Sequence, residues 1–320
     1  MPAHRNVALL CPACGHRTTP APGPGGYVCR RAGCGAELEP SYVEEALPQT
    51  VIACVGFTGH GKTLLLTSLL GSLVDGRKHN LGQGALVETI NPTAFNLVVQ
   101  HWQALERGNM PPPTGRAFQA PGICRVQGID GIPPRNLIFF DVAGGVFDKW
   151  DPNATEPGIV SMFGLADVLW VICSALDPQV KPHLQLLMQA YVNHTTSHPG
   201  GAALLRRKRV VVTYTKADRL LSALEKLGYA DVANYLVDDP APVDREYRNV
   251  LKYVSGRLAD FTCKYVPGGP GFHAMCSARF HSLDYAVVSA LGCETDGHNR
   301  LTQAVNPRRI VDPLMLSLER

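Results

Sequence analysis

Apolar residues fall into short dense blocks separated by stretches with helical spacing. The runs at 51–55, 136–140, 168–173 and 209–214 are apolar almost throughout, as strands buried on both faces are, and 123–127 adds a shorter one. Leucines recur through 64–74, and Phe95, Val98, Val99, Trp102 and Leu105 share one face of a helix predicted from Pro92 to Glu106, with proline at its start. A further helix is predicted over 183–194. The segment Phe272-His273-Ala274-Met275-Cys276 predicts a last short strand, ending in Ser277-Ala278. Strands alternating with helices predict an α/β fold, a mostly parallel sheet flanked by helices on both faces.

The first 46 residues do not fit that pattern. Cys11-Pro12-Ala13-Cys14-Gly15 and Cys29-Arg30-Arg31-Ala32-Gly33-Cys34-Gly35 form two cysteine knuckles, each followed by glycine, with the second longer than C-x-x-C. So few large apolar side chains cannot build a core, so a metal has to supply the folding energy. Cys11, Cys14, Cys29 and Cys34 are therefore the expected ligands of a zinc ribbon. Paired disulfides, or His16 in place of one cysteine, are the alternatives. Residues 36–49, with several glutamates and two prolines, read as a linker. The expected organisation is a ribbon and linker over 1–46 and an α/β domain over 47–320.

The apolar strand at 51–55 runs directly into Gly56-Phe57-Thr58-Gly59-His60-Gly61-Lys62-Thr63, and a helical pattern follows. This is the strand–loop–helix setting that the phosphate-loop spacing G-x-x-x-x-G-K-[ST] requires. Glycines let successive backbone N–H groups converge on an anion, and the following helix turns its positive dipole end to the same point. Thr58, Gly59, His60 and Gly61 then line a phosphate cradle, Lys62 reaches the outer phosphates, and the Thr63 hydroxyl ligates magnesium. Asp141, at the end of the strand over 136–140, is placed to hold that magnesium, and Gly144 lets a backbone N–H approach the terminal phosphate. Thr215-Lys216-Ala217-Asp218 ends another strand. There a carboxylate can accept from guanine N1 and its exocyclic amine, a pair that adenine does not offer, while the lysine stem lies against the ring. Ser277-Ala278 is the expected place for a backbone N–H to meet the guanine carbonyl.

Composition narrows the field only a little. The chain has 320 residues, 45% of them apolar and 18% charged, which is globular rather than disordered. A formal charge of +3 does not argue for nucleic-acid or membrane partners. No apolar stretch has bilayer length, and the N-terminal stretch lacks the apolar centre of a signal peptide, so a cytoplasmic location is expected. Cys54, Cys124, Cys173, Cys263, Cys276 and Cys293 are scattered and read as small core residues in a reducing compartment. Arg206-Arg207-Lys208-Arg209 reads as a solvated strand entrance, and Trp102, Trp150 and Trp170 as packing residues. No serine–histidine–acid or cysteine–histidine arrangement stands out.

Taken in order, GFTGHGKT, DVAG, TKAD and CSA, spread over residues 56–278, resemble the guanine-nucleotide-binding domain of the translation-factor and Ras-related class of P-loop GTPases. Within that class, the long segment before DVAG and the tail Val311-Asp312-Pro313-Leu314 resemble bacterial GTPases of conflict or signalling gene clusters, some with a zinc ribbon. The resemblance implies a GTP-hydrolysing switch with GTP or GDP, magnesium and zinc as cofactors and a protein effector or activator as partner. It places phosphate and magnesium on Gly59, Gly61, Lys62 and Thr63, phosphate sensing on Asp141 and Gly144, and base contacts on Lys216, Asp218, Ser277 and Ala278. It also requires a switch threonine, for which Thr114 is the choice, with Thr93 and Thr89 as competitors. Where relatives position the attacking water with Gln, His or Glu, this chain has Gly145. His60, Asp148 or a partner's arginine would have to substitute, and slow intrinsic hydrolysis follows. Two other readings stay open: a nucleotide-binding scaffold without turnover, and an ATPase if 215–218 is not the base site.

Overall fold

A computed structural model describes residues 7–75, 81, 84–112, 121–141, 163–174, 183–238, 243–296, 298 and 300–319. Thr114, Gly144, Gly145, Asp148 and Trp150 lie outside the described residues.

The N-terminal module consists of two very short antiparallel pieces of sheet. β1 (Leu9–Leu10) pairs with β2 (Arg17–Thr18), and β3 (Ala21–Gly23), β4 (Gly26–Val28) and β5 (Glu37–Leu38) form a three-stranded meander. The expected linker is in fact ordered. β5 is followed by α1 (Pro40–Glu45), a helix with proline in its first turn and left-handed Ala46 at its end. Of the prolines and glutamates that suggest a linker, Pro40 starts this helix, Glu39 is its N-cap residue and Glu44 and Glu45 are on its exposed face, while Tyr42 points inward and is buried.

The rest is a seven-stranded α/β sheet. Its strands are β6 (Gln49–Val55), β7 (Leu86–Thr89), β8 (Gly122–Gln127), β9 (Arg135–Asp141), β10 (Val168–Ser174), β11 (Arg209–Thr215) and β12 (Ser282–Val287), in spatial order β12-β11-β10-β6-β9-β8-β7. Strands β12 to β9 in that order are parallel, and β8 and β7 close one edge antiparallel. The helices are α2 (Lys62–Asp75), α3 (Pro92–Glu106), α4 (His183–Thr196), α5 (Gly201–Leu205), α6 (Leu221–Lys226), α7 (Ala230–Val237), α8 (Arg245–Tyr265), α9 (Gly269–Arg279) and α10 (Asp312–Leu318).

Alternate residues of each strand face opposite layers. Val51, Ala53, Ile138, Val171 and Val212 join one buried cluster with α4, α7 and α9, while Ile52, Cys54, Phe139, Trp170 and Val211 join another with α2, α3 and α10. Burial on both faces explains why the central strands are apolar without alternation. Trp102 is buried against α2, where a Cβ on Gly71 would stand 2.5 Å from its ring, and buried Trp170 donates from Nε1 to Ser317 Oγ at 2.7 Å. Both behave as the packing residues expected. Of the scattered cysteines, Cys54, Cys124, Cys173 and Cys276 are buried, whereas Cys263 and Cys293 are only partly so.

Two further expectations need correction. Residues 272–276 are helical, inside α9, because Pro270 sits in the first turn of a helix started by left-handed Gly268. The last strand is β12, whose register with β11 runs from Arg209 opposite Ser282 to Tyr214 opposite Val287. In the basic cluster, Lys208 is not solvated: it is 2% exposed and donates to the carbonyls of Phe163, Gly164 and Ala166. Burial lowers its ammonium to about 8, against the pull of Asp167. Among the described residues no helix is long and apolar enough to cross a membrane.

Candidate functional site

β6 is the point where the sheet reverses direction of growth. From it the chain builds β7, β8 and β9 on one side, then crosses to β10 on the other. In open parallel sheets the crevice at the carboxyl ends of the strands beside such a reversal is where ligands bind. The loop 56–61 lies there, between β6 and the N-terminus of α2.

Its local structure follows from its glycines. Gly59 and Gly61 have φ of 82° and 80°, values that L side chains rarely adopt. A Cβ on Gly56 would stand 2.3 Å from the Ile172 carbonyl oxygen of β10, so only glycine fits at that crossing. Gly56→Ala is therefore expected to destabilise the domain by about 1–3 kcal/mol through backbone overpacking, read as a lower midpoint in urea unfolding. Thr58 and Gly59 are exposed, leaving the loop crest open.

Lys62 is buried, and its ammonium donates to the Gly56 and Phe57 carbonyls at 2.7 and 2.9 Å, across the mouth of the loop. The Thr63 hydroxyl donates to Asp141 Oδ2 at 3.0 Å. Two groups 78 residues apart in the chain thus meet at the end of β9, beside the first turn of α2. His60 turns away from this mouth. It is 2% exposed, its Nδ1 lies 3.2 Å from the Ile172 carbonyl and its ring packs edge-on against Phe57. These contacts make His60 a bracket between the loop and β10.

Next to the loop, Thr215 donates to the His60 carbonyl at 2.7 Å and stands 3.3 Å from that of Cys173, tying the end of β11 to β6 and β10. Lys216 has φ of 56°, a left-handed conformation that costs a non-glycine residue about 1–2 kcal/mol. The kink starts a short 3-10 turn, Ala217–Arg219, that carries Asp218. Asp218 Oδ1 accepts from the Ser289 hydroxyl at 2.5 Å, and Ser289 Oγ in turn accepts from the Gly292 N–H at 3.0 Å. The Ala290 carbonyl accepts from Ser68 of α2 at 2.7 Å, which fixes the loop after β12 to the helix after 56–61.

So the structure brings together Thr58, Gly59, Gly61, Lys62, Thr63 and Asp141 around one loop, and joins Thr215, Lys216 and Asp218 to it through the His60 carbonyl. It does not bring Ser277 and Ala278 there. Both are exposed on α9, and the pair next to Asp218 is Ser289-Ala290. The signal for it is the run Ala286-Val287-Val288 ahead of it, a strand end followed by a second Ser-Ala pair. Thr89 ends β7, the edge strand. Thr93 lies in the first turn of α3.

The second candidate centre is in the N-terminal module. The sulfurs of Cys11, Cys14, Cys29 and Cys34 all lie within 4.8 Å of one another, with Cys11–Cys34 at 3.8 Å and Cys14–Cys29 at 3.9 Å. A tetrahedron of metal–sulfur bonds of about 2.3 Å has sulfur–sulfur edges of about 3.8 Å. The longer second knuckle therefore still delivers both of its sulfurs, because Cys34 N–H bonds to the Arg31 carbonyl at 3.0 Å and folds the extra residues into a turn. His16 is not among the ligands, its Nδ1 lying 2.7 Å from the Cys14 carbonyl and 2.5 Å from Arg31 Nη1. Burial raises the Cys11 and Cys34 thiols, whereas at Cys14 the His16 backbone N–H, Arg31 and the neighbouring thiols outweigh burial and bring it to about 7.

Comparison with protein-family models and with curated proteins gives no match.

Proposed function

We propose that this chain is a guanine-nucleotide-binding switch with magnesium as the nucleotide's counterion, carrying a structural zinc in its N-terminal ribbon. The observation that carries the reading is the meeting of Thr63 and Asp141 at 3.0 Å beside a glycine loop whose lysine already spans its mouth. A hydroxyl and a carboxylate at that spacing suit a hard, oxygen-ligated cation, and the loop's N–H groups and the α2 dipole suit the phosphates it would bridge. Asp218, clamped by Ser289 one loop away, supports guanine over adenine: an oriented carboxylate accepts the two parallel N–H groups of guanine, and Ala290 replaces Ala278 as the candidate for its carbonyl.

On this reading Lys62→Ala weakens binding of magnesium and guanosine triphosphate at least tenfold, roughly the loss of one charge-assisted contact. Asp218→Asn spares phosphate affinity but erodes discrimination between guanine and adenine nucleotides. Calorimetric titration with GTP, GDP and ATP checks both. No binding of any of these to well-folded protein would overturn the reading, and equal affinity for GTP and ATP in the wild type would turn it into the ATPase reading.

A nucleotide-holding scaffold without turnover is the second reading, favoured by the burial of His60, which removes one of the groups offered to position water. Single-turnover phosphate release, with and without cell extract, separates the two. A chain that binds GTP but releases no phosphate in either condition is a scaffold.

A further inference from the structure

The N-terminal module sits on the sheet through a seam that is unusually polar for its depth. Glu88 of β7, Arg125 of β8, Asn136 of β9 and Gln49 of β6 are directly opposite one another in register, so their side chains form one row across four strands, on the face that carries α1. Gln49 and Arg125 both reach across to the module. Gln49 Oε1 accepts from the Leu10 N–H at 3.2 Å and from Arg17 at 3.1 Å, and its amide donates to the Tyr42 hydroxyl at 2.7 Å. Arg125, only 6% exposed, holds Glu45 of α1 at 2.8 Å, Glu88 at 2.9 Å and the Ser41 carbonyl at 3.1 Å. Between them Asn136 is fully buried, yet neither its amide oxygen nor its amide nitrogen has a partner among the described residues, and the same holds for Arg125 Nε.

A permanent interface would be expected to cover such a row with apolar groups or to satisfy it completely. This one clamps the module on either side of Asn136, through Arg125 and Gln49, and leaves Asn136 unsatisfied. We propose that the ribbon and α1 form a releasable latch: the module lifts off the amino-terminal ends of β6 and β9 and the carboxyl-terminal half of β8 as an intact unit, and water then satisfies Asn136 and Arg125. The open state is low in energy because the buried polar atoms regain partners on opening, which offsets part of the penalty of exposing Leu9, Leu10 and Tyr42 to water. The latch holds β6 and β9 at their beginnings, the strands whose other ends carry the loop 56–61 and Asp141. It does not depend on what that site binds.

The module contains its own reporter. The Leu10 N–H bonds to Gln49 of the sheet, whereas Cys11 N–H bonds to the His16 carbonyl and Gly15 N–H to the Cys11 carbonyl, inside the ribbon. Residue-resolved amide exchange on the full-length, zinc-loaded protein therefore separates undocking from unfolding. Leu10 is expected to exchange at least tenfold faster than Cys11, Gly15 and the central-strand amide of Val171. Glu45→Gln, at an exposed position, should raise the Leu10 rate severalfold and Arg125→Met further, while Asn136→Leu, which removes the unsatisfied amide, should lower it severalfold. Cys11 and Gly15 should not change. Leu10 exchanging together with Cys11 in the wild type, or a Leu10 rate indifferent to all three substitutions, would show the module to be a fixed part of the domain and overturn the proposal.

Discussion

On the proposal that the four cysteines hold a structural zinc, removing it with a strong chelator, or replacing Cys29 by serine, is expected to unfold residues 7–38 while the seven-stranded sheet keeps its amide protection. The reason is how little else holds the module together. Its own cluster consists of the cysteines themselves with Leu38, Tyr27, Ala36 and Val43, and none of its five strands exceeds three residues. That much apolar surface cannot meet the entropy of ordering about thirty residues, at roughly 1–2 kcal/mol each for the backbone alone. A structural zinc in a four-cysteine site contributes about 10–16 kcal/mol near neutral pH, enough to close the gap. The measurement is one equivalent of zinc released per chain by a colorimetric indicator, alongside loss of the Cys11 and Gly15 amide protection. Protection of those amides surviving in metal-free protein would mean that docking of Leu9, Leu10 and Tyr42 on the sheet, and not the metal, folds the module. A smaller loss of stability in the main domain should accompany the effect, because Leu10 and Tyr42 belong to the core cluster of one sheet face.

Much of this arrangement is legible in the residues, and the reasons are local. A strand buried on both faces must be apolar throughout, so β6, β9, β10 and β11 announce themselves, and the glycine loop after β6 can be placed because its φ values exclude other residues. The helix starting at Pro92 is equally plain. What stays hidden depends on contacts distant in sequence. Phe272 to Cys276 has a strand-like composition, and only the Gly268-Gly269-Pro270 entry, a helix start with proline in the first turn, gives it away. Reading those residues as the last strand makes Ser277-Ala278 the expected neighbour of Asp218 and passes over Ser289, 71 residues from Asp218. The linker reading of 36–49 fails in the same way: glutamate and proline are as much at home in the first turns of a short surface helix as in a linker, and the deciding residue, Tyr42, is buried by β1 and Gln49 rather than by its neighbours. His60 and Lys208 mislead from sequence for a common reason. Each is a polar side chain whose partners are main-chain carbonyls, and those cannot be seen until the strands are laid side by side.

Asp312→Ala is expected to destabilise the domain by about 3–5 kcal/mol, the usual range for breaking a buried charged network, and Asp312→Asn by less, with a dependence on pH that identifies the carboxyl itself. Asp312 opens α10 beneath the sheet and is 2% exposed. Its oxygens accept from the hydroxyls of Tyr235 on α7 and Tyr247 on α8 at 2.9 and 2.6 Å, and Arg309, with its guanidinium 3.7 Å over the Tyr235 ring, is the cation that acts on it. Arg309 itself is held by the Tyr235 and Asp238 carbonyls at 2.7 and 3.1 Å. Burial raises the Asp312 carboxyl to about 6, more than the two hydroxyls and Arg309 pull it down. The sign follows from linkage. A carboxyl whose folded value exceeds its unfolded value of about 3.9 contributes stability that is fully present below pH 4 and is lost as pH rises through 6. The loss amounts to about 3 kcal/mol. Titrations elsewhere cancel in the difference between wild type and Asp312→Asn, since asparagine keeps the shape and does not ionise. Unfolding free energies in urea at pH 4.5, 6.0 and 7.5 should therefore show the wild type losing about 2 kcal/mol relative to Asp312→Asn across that window. A flat difference would mean that the two tyrosines hold the carboxylate ionised throughout, and that α10 is pinned by a permanent buried charge.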